Sequence, residues 1–295
     1  MAMEATYNRN LGHSVSWGDP WRKNYDKVVT EPEGIPFLSL PYPDRKWTCA
    51  LTKRYQIYGN YKYHPATHMQ VADGCWHGKC VFCVETGRGY KVREIDHVLA
   101  EIDDCRSLGI KEIFDDSGTF PTGRWLDEFC KKVAGWNMVF GCNMRVNHVD
   151  YRLMRSVGFR MLLFGIESAN QFTLDKINKG VNIDDVIPVL KSAKKAGLES
   201  HIAVIFGYPW ETDRDSDNTL QLVHYLLRKG YASTAQASFY RVEGVESNQE
   251  ARKYIRRIYD VAYYPDFWWN KLTALRTRWD LYYLLKSIKK GITRD

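Results

Sequence analysis

The chain has 295 residues, 44% of them hydrophobic and 14% aromatic, which excludes a disordered chain and allows one large domain or two modest ones. Its formal charge of +7 is unevenly placed: residues 251–295 carry eleven Lys or Arg against four Asp or Glu, and the remainder balances. The sequence has no apolar run of about eighteen residues, and no basic stretch followed by an apolar one at its N-terminus, so neither a membrane span nor a secretory signal is expected. The cytoplasm is the expected location, and the seven cysteines are expected as thiols, metal ligands or catalysts rather than disulfides.

Residues 1–67 are rich in Pro, Tyr, Trp and charge, with PEGIPFLSLPYPDR at 32–45, and read as an irregular N-terminal arm. From residue 68 short apolar runs alternate with longer segments of helical period. The runs are MQVA (69–72), KEIFD (111–115), MVFGCN (138–143), RMLLFGI (160–166), HIAVIFG (201–207) and STAQASF (233–239). Helices are predicted near 93–108, 122–135, 148–157, 183–197 and 214–229. Six strands alternating with helices imply an α/β fold with a parallel sheet of right-handed βα units. A partial (β/α)6 TIM-like barrel and an open doubly wound sheet both fit that pattern.

The alternation stops near residue 247. Two more helices are predicted, near 247–262 and 270–290, joined by the aromatic YYPDFWW of 263–269. This basic, aromatic extension is either a solvated helical face or a contact for an anionic partner such as nucleic acid or lipid.

GCWHGKCVFC (74–83) places three cysteines directly after the first predicted strand. Cysteines this dense without a secretory signal point to metal. A Cys3His zinc site would recruit His77 from inside the loop, which requires a tight fold-back. Three thiolates without an evident fourth ligand suit a cubane iron–sulfur cluster with one open iron. Cys49, Cys105, Cys130 and Cys142 are isolated.

The loop resembles the cluster loop of the radical S-adenosylmethionine (SAM) superfamily, down to the aromatic Phe82 before its last cysteine. IFDDSGTF (113–120), CNMRVNHVD (142–150), LLFGIESANQFTLDKINKG (162–180) and VIFGYPWET (204–212) extend the resemblance. They resemble the branch that includes cobalamin-dependent radical SAM proteins and methylthiotransferases. Two features depart from it. Four residues, WHGK, separate the first two cysteines where the family has three. Residues 1–67 also lack the strand–helix pattern of a cobalamin domain, so this chain alone is not expected to bind cobalamin.

The resemblance implies a partial barrel over 68–246, between the arm (1–67) and the helical extension (247–295). It implies a 4Fe–4S cluster on Cys75, Cys80 and Cys83 whose fourth iron receives SAM. One electron from a flavodoxin or ferredoxin type reductant would cleave SAM to a 5′-deoxyadenosyl radical, which abstracts hydrogen from an unknown substrate. Phe82, Asp116, Arg145, Glu167 and Ser168 are expected to bind SAM, since the polar ones follow the predicted strands. No catalytic residue is singled out. One alternative is a methyltransferase or methylthiotransferase component working with a cobalamin or RNA-binding partner. The other is a non-catalytic iron–sulfur or zinc protein whose basic tail binds nucleic acid.

Overall fold

A computed structural model of the chain describes residues 36–45 and 61–285, apart from 279 and 283. Most of the arm, with Cys49, and the end of the basic tail lie outside the described residues. The strands in chain order are β1 (Ala66–Met69), β2 (Ala72–Gly74), β3 (Tyr90–Val92), β4 (Glu112–Asp115), β5 (Val139–Met144), β6 (Phe159–Glu167), β7 (Glu199–Phe206) and β8 (Thr234–Phe239). Six of them form one sheet, ordered β1-β4-β5-β6-β7-β8, with every neighbouring pair parallel. A doubly wound sheet reverses its order at a switch point. This one never reverses, and it is a curled half-barrel, the partial (β/α)6 TIM-like form.

Helices α1 (Ile95–Ser107), α2 (Arg124–Val133), α3 (Tyr151–Ser156), α4 (Gln171–Lys176), α5 (Ile183–Lys195) and α6 (Asp213–Arg228) connect the strands. Their sequences fix both ends and faces. Thr212 and Asp215 form a reciprocal capping box at the start of α6, whose Leu220, Val223, Leu226 and Leu227 are buried at helical spacing. These faces join Ile113, Phe140, Leu162 and Ile202 of the strands in one core. The opposite strand residues, among them Phe114, Met161 and Leu163, face the other way and pack with Tyr61.

The N-terminal ends of the strands are closed by ions. Arg160 binds Glu112 through Nε at 2.9 Å and Glu199 through Nη1 at 2.9 Å, and Lys62 reaches Glu199 at 2.6 Å and also pairs with Asp280. A second buried group ties the described part of the arm down: Glu101 sits between Arg45 and Arg93, each 2.5 Å away. The first network lies at the N-terminal strand ends, whereas the second reaches the His68 and Gln70 carbonyls around the C-terminal end of β1.

Four features differ from the sequence reading. The first strand is 66–69 rather than 69–72. The Asp115 carboxylate accepts from the Val71 N–H at 2.7 Å and the Ser117 hydroxyl from the Ala72 N–H at 2.8 Å, which draws the chain off the sheet after Met69. Residues 72–74 then pair antiparallel with 90–92, a hairpin the apolar pattern did not show. The short α4 was also unread. Beyond the barrel, α7 (Arg252–Arg257) lies inside the first predicted C-terminal helix, flanked by 3-10 turns. The aromatic segment expected as a linker instead starts α8 (Pro265–Thr273), since a proline suits a first helical turn.

Candidate metal centre

Hairpin strands β2 and β3 flank the cysteine loop and set it at the C-terminal end of the sheet. The loop closes on itself through Gly87 N–H to the Gly78 carbonyl (3.2 Å), and the Val81 N–H ties it to the Ile177 carbonyl (3.1 Å). Cys80 is buried, while Cys75 and Cys83 are half-buried. Cys80 Sγ lies 3.7 Å from the Asn178 carbonyl and 3.9 Å from Arg145 Nη1. The Glu85 N–H donates to Cys83 Sγ at 3.5 Å, and burial pushes the Cys83 thiol up.

His77 and Cys80 converge on the same carbonyl, that of Asn178. The His77 Nε2 is 2.6 Å from it, and the His77 ring occupies the space a side chain at Gly180 would need. The imidazole therefore braces the cysteine loop against residues 178–180.

The strand ends add charge. Arg145 follows β5 and is buried; its Nη2 donates to the Lys179 carbonyl, and its guanidinium carbon lies 5.0 Å from the Trp76 ring centre. Its Nε has no hydrogen-bond partner. It forms no ion pair with Glu167, which is taken by Lys179. Glu167 ends β6 at φ +70°, just past a register shift, and its Oε1 receives Lys179 Nζ at 2.7 Å with both side chains buried. A side chain at Gly165 would collide with this pair, so the glycine makes room for it.

Phe82 is half-buried, packs on Leu174, Ile177, Tyr208 and Tyr240, and lies 6.0 Å below Lys179 Nζ. Asp116 is exposed after β4, its N–H on the Met69 carbonyl. Ser168 is buried and gives its hydroxyl to Glu211 Oε1 at 2.9 Å. Thr173 donates to the same oxygen at 3.0 Å, and burial raises the Glu211 pKa.

The structure thus gathers Arg145 and Glu167 beside the cysteine loop, keeps Phe82 in it, leaves Asp116 exposed at the strand edge, and turns Ser168 towards Glu211. Lys179, Tyr208 and Glu211 were not among the predicted site residues. Lys179 precedes Gly180 with no motif of its own, and its partner twelve residues earlier is brought to it at the β6 register shift.

The donor set fits a cubane cluster: three thiols on one loop, a buried guanidinium and an ammonium beside them, and a histidine whose Nε2 is bonded to a backbone carbonyl. Among the described residues no three His, Cys, Asp or Glu side chains already close on one point.

The family model of the radical SAM superfamily matches residues 69–223. The chain belongs to the radical SAM superfamily, a family of enzymes. A protein of Pyrococcus horikoshii named as an uncharacterized methyltransferase is 31% identical over 157 residues, covering 50% of this chain and 34% of that protein. The structure of TsrM, a radical SAM methyltransferase from Kitasatospora setae with cobalamin and a 4Fe–4S cluster bound, matches with a TM-score of 0.53 at 16% identity, covering 60% of this chain and 35% of TsrM. Methylornithine synthase matches with a TM-score of 0.52 at 13% identity, over 74% of this chain and 68% of that one. At these identities the two structures share the fold. This chain spans about a third of the P. horikoshii relative. No helix among the described residues is long and apolar enough to cross a membrane.

Proposed function

We propose that this chain is a radical SAM enzyme in which Cys75, Cys80 and Cys83 hold a 4Fe–4S cluster and SAM binds beside it at the C-terminal end of the half-barrel. The observation that carries this reading is the three-cysteine loop standing against Arg145 and the Lys179–Glu167 pair. When bound and supplied with one electron, a cluster with SAM breaks the C5′–S bond, giving methionine and a 5′-deoxyadenosyl radical that takes a hydrogen atom from substrate. Arg145, with its Nε free, offers a fork to the SAM carboxylate. Glu167 can accept from the SAM ammonium or a ribose hydroxyl, sharing its charge with Lys179. Phe82 offers an apolar wall, and Asp116 is free to reach the ligand. Ser168 acts by holding Glu211. Three residues that separate charge in a water-poor rim favour a zwitterionic ligand there.

A small one-electron carrier of flavodoxin or ferredoxin type is the reductant in this reading, and the substrate is unassigned. The methyltransferase name of the P. horikoshii relative favours a second reading, a methyl-transfer component that works with a cobalamin-binding unit. Retention of hydroxocobalamin in equilibrium dialysis would promote it.

Anaerobic reconstitution tests the main reading. Wild type should bind about four iron per chain and show visible absorption that bleaches with dithionite. Cys75→Ala, Cys80→Ala and Cys83→Ala should each lose it, and Cys142→Ala, buried in the core, should keep it. Dithionite should drive 5′-deoxyadenosine formation in wild type and not in the triple variant. Full iron retention in Cys80→Ala, or a colourless zinc-loaded wild type, overturns the assignment.

A further inference from the structure

The cysteine loop turns apolar side chains outwards. Val81 is 43% exposed, and Val84, directly after Cys83, is 80% exposed. On α4, Phe172 is 63% exposed. The loop and this helix share one rim: the Val81 N–H donates to the carbonyl of Ile177, the residue after Lys176. One turn back, Lys176 Nζ stands 5.0 Å from the Phe172 ring centre. Single exposed apolar side chains need no explanation, but three grouped around one metal-binding loop mark a contact surface.

Cations border these side chains. Across the loop (75–89) and α4 the exposed charges are Lys79, Arg88 and Lys176 against Asp175. The Gly87 N–H bond to the Gly78 carbonyl draws together the segments that carry Arg88 and Lys79. Arg88 lies 3.6 Å from Glu85, but that carboxylate is turned inwards, with one oxygen buried. The carboxylate of Asp175 accepts from Gln171 Nε2 at 2.8 Å. Three outward cations against one such acid suit an acidic partner. The position of the surface says which kind. On the reading above, SAM takes the side of the cluster that faces Arg145 and the Lys179–Glu167 pair. Cys83 is half-buried and its neighbour Val84 exposed, so the electron the reaction consumes has its short way in on this outer side.

We infer that Val81, Val84, Phe172 and their cationic rim form the docking surface for a small acidic one-electron carrier protein, which passes its electron to the cluster beside Cys83. The inference rests on the cluster reading above. In the docked pair the carrier is oxidised by one electron and the cluster reduced by the same one; no bond forms or breaks. Carboxylates of the carrier meet Lys79, Arg88 and Lys176 and steer the encounter, while its apolar contact face covers the valines and the phenylalanine.

The test uses the full chain, reconstituted anaerobically as wild type, as Lys79→Glu/Arg88→Glu/Lys176→Glu and as Phe172→Ser. A control of the same net charge as the triple variant, Lys191→Glu/Lys195→Glu/Lys229→Glu, changes exposed lysines at the C-terminal ends of α5 and α6, beside the N-terminal strand ends. Iron content is measured, then 5′-deoxyadenosine formation with dithionite and, separately, with reduced flavodoxin and with reduced ferredoxin. Dithionite needs no docking, so it should serve all four proteins equally. With the carrier that serves wild type, the rate at limiting carrier should fall about tenfold or more in the rim variant, fall also in Phe172→Ser, and hold in the control. Added salt should slow the wild-type rate and leave that of the rim variant unchanged. Should the rim variant fail to fold, Lys79→Glu and Lys176→Glu made singly should each show the same loss in smaller measure. Equal carrier-driven rates in wild type and these variants, or a wild type that dithionite reduces and neither carrier does, overturn the inference and leave the cluster assignment standing. A wild-type chain that takes up no iron overturns both.

Discussion

The Lys179–Glu167 pair allows a stability argument with a definite magnitude. Nζ and Oε1 are 2.7 Å apart, with side chains only 8% and 9% exposed. Glu167→Gln keeps the shape but leaves an ammonium buried without its counter-ion; Lys179→Met does the converse. Breaking one side of a buried pair costs about 3–5 kcal/mol. Replacing both charges removes their desolvation together with their attraction, so the double variant should lose little more than either single one. The expected coupling is about 2–3 kcal/mol. At roughly 2–4 °C per kcal/mol for a domain of this class, each single variant should melt about 6–20 °C lower. Urea unfolding of the four proteins of the cycle, followed by circular dichroism, measures the coupling. Single-variant losses that simply add in the double variant would refute the pair as a coupled unit.

Two further outcomes follow from buried groups elsewhere. Burial raises the Asp115 pKa from 3.8 to about 7, against the hydrogen bonds from Val71 and Ser117. The folded chain thus holds a proton there that the unfolded chain has lost, and the stability it contributes is full below pH 4 and lost as pH rises to 7. Asp115→Asn removes that dependence, so its stability relative to wild type should rise by about 4 kcal/mol between pH 4 and pH 8; a flat difference contradicts the assignment. Gly158 sits at φ +107°, and a Cβ there would lie 2.0 Å from the Met138 carbonyl oxygen. Gly158→Ala should therefore cost about 2 kcal/mol or more, read as a lowered urea midpoint, whereas Gly87→Ala, at φ +76° with open space around it, should cost less.

The barrel was legible because its strands are apolar runs closed by turn residues and its helices carry periodic faces, as at Val186, Val189, Leu190 and Ala193 of α5. The cysteine loop was legible from residue spacing alone. What escaped depends on contacts between distant segments. Asp115 diverts the chain at Val71, forty-four residues earlier, which displaced the first strand. Ser168 reads as a strand-end hydroxyl, yet its partner is Glu211, forty-three residues on. The unpartnered hydroxyl of buried Tyr208 is likewise a feature that no sequence pattern records.

The cysteine loop has one more consequence, for the order of assembly. Its ten residues contribute nothing to the large core that joins strands to helices, and they hang from a hairpin separate from the main sheet. The barrel's cohesion therefore does not pass through iron. On the reading proposed above, the polypeptide can complete its fold before any cluster is loaded. Chelation would then empty the enzyme and leave it folded, ready to be loaded again, unlike small metallodomains that collapse when stripped.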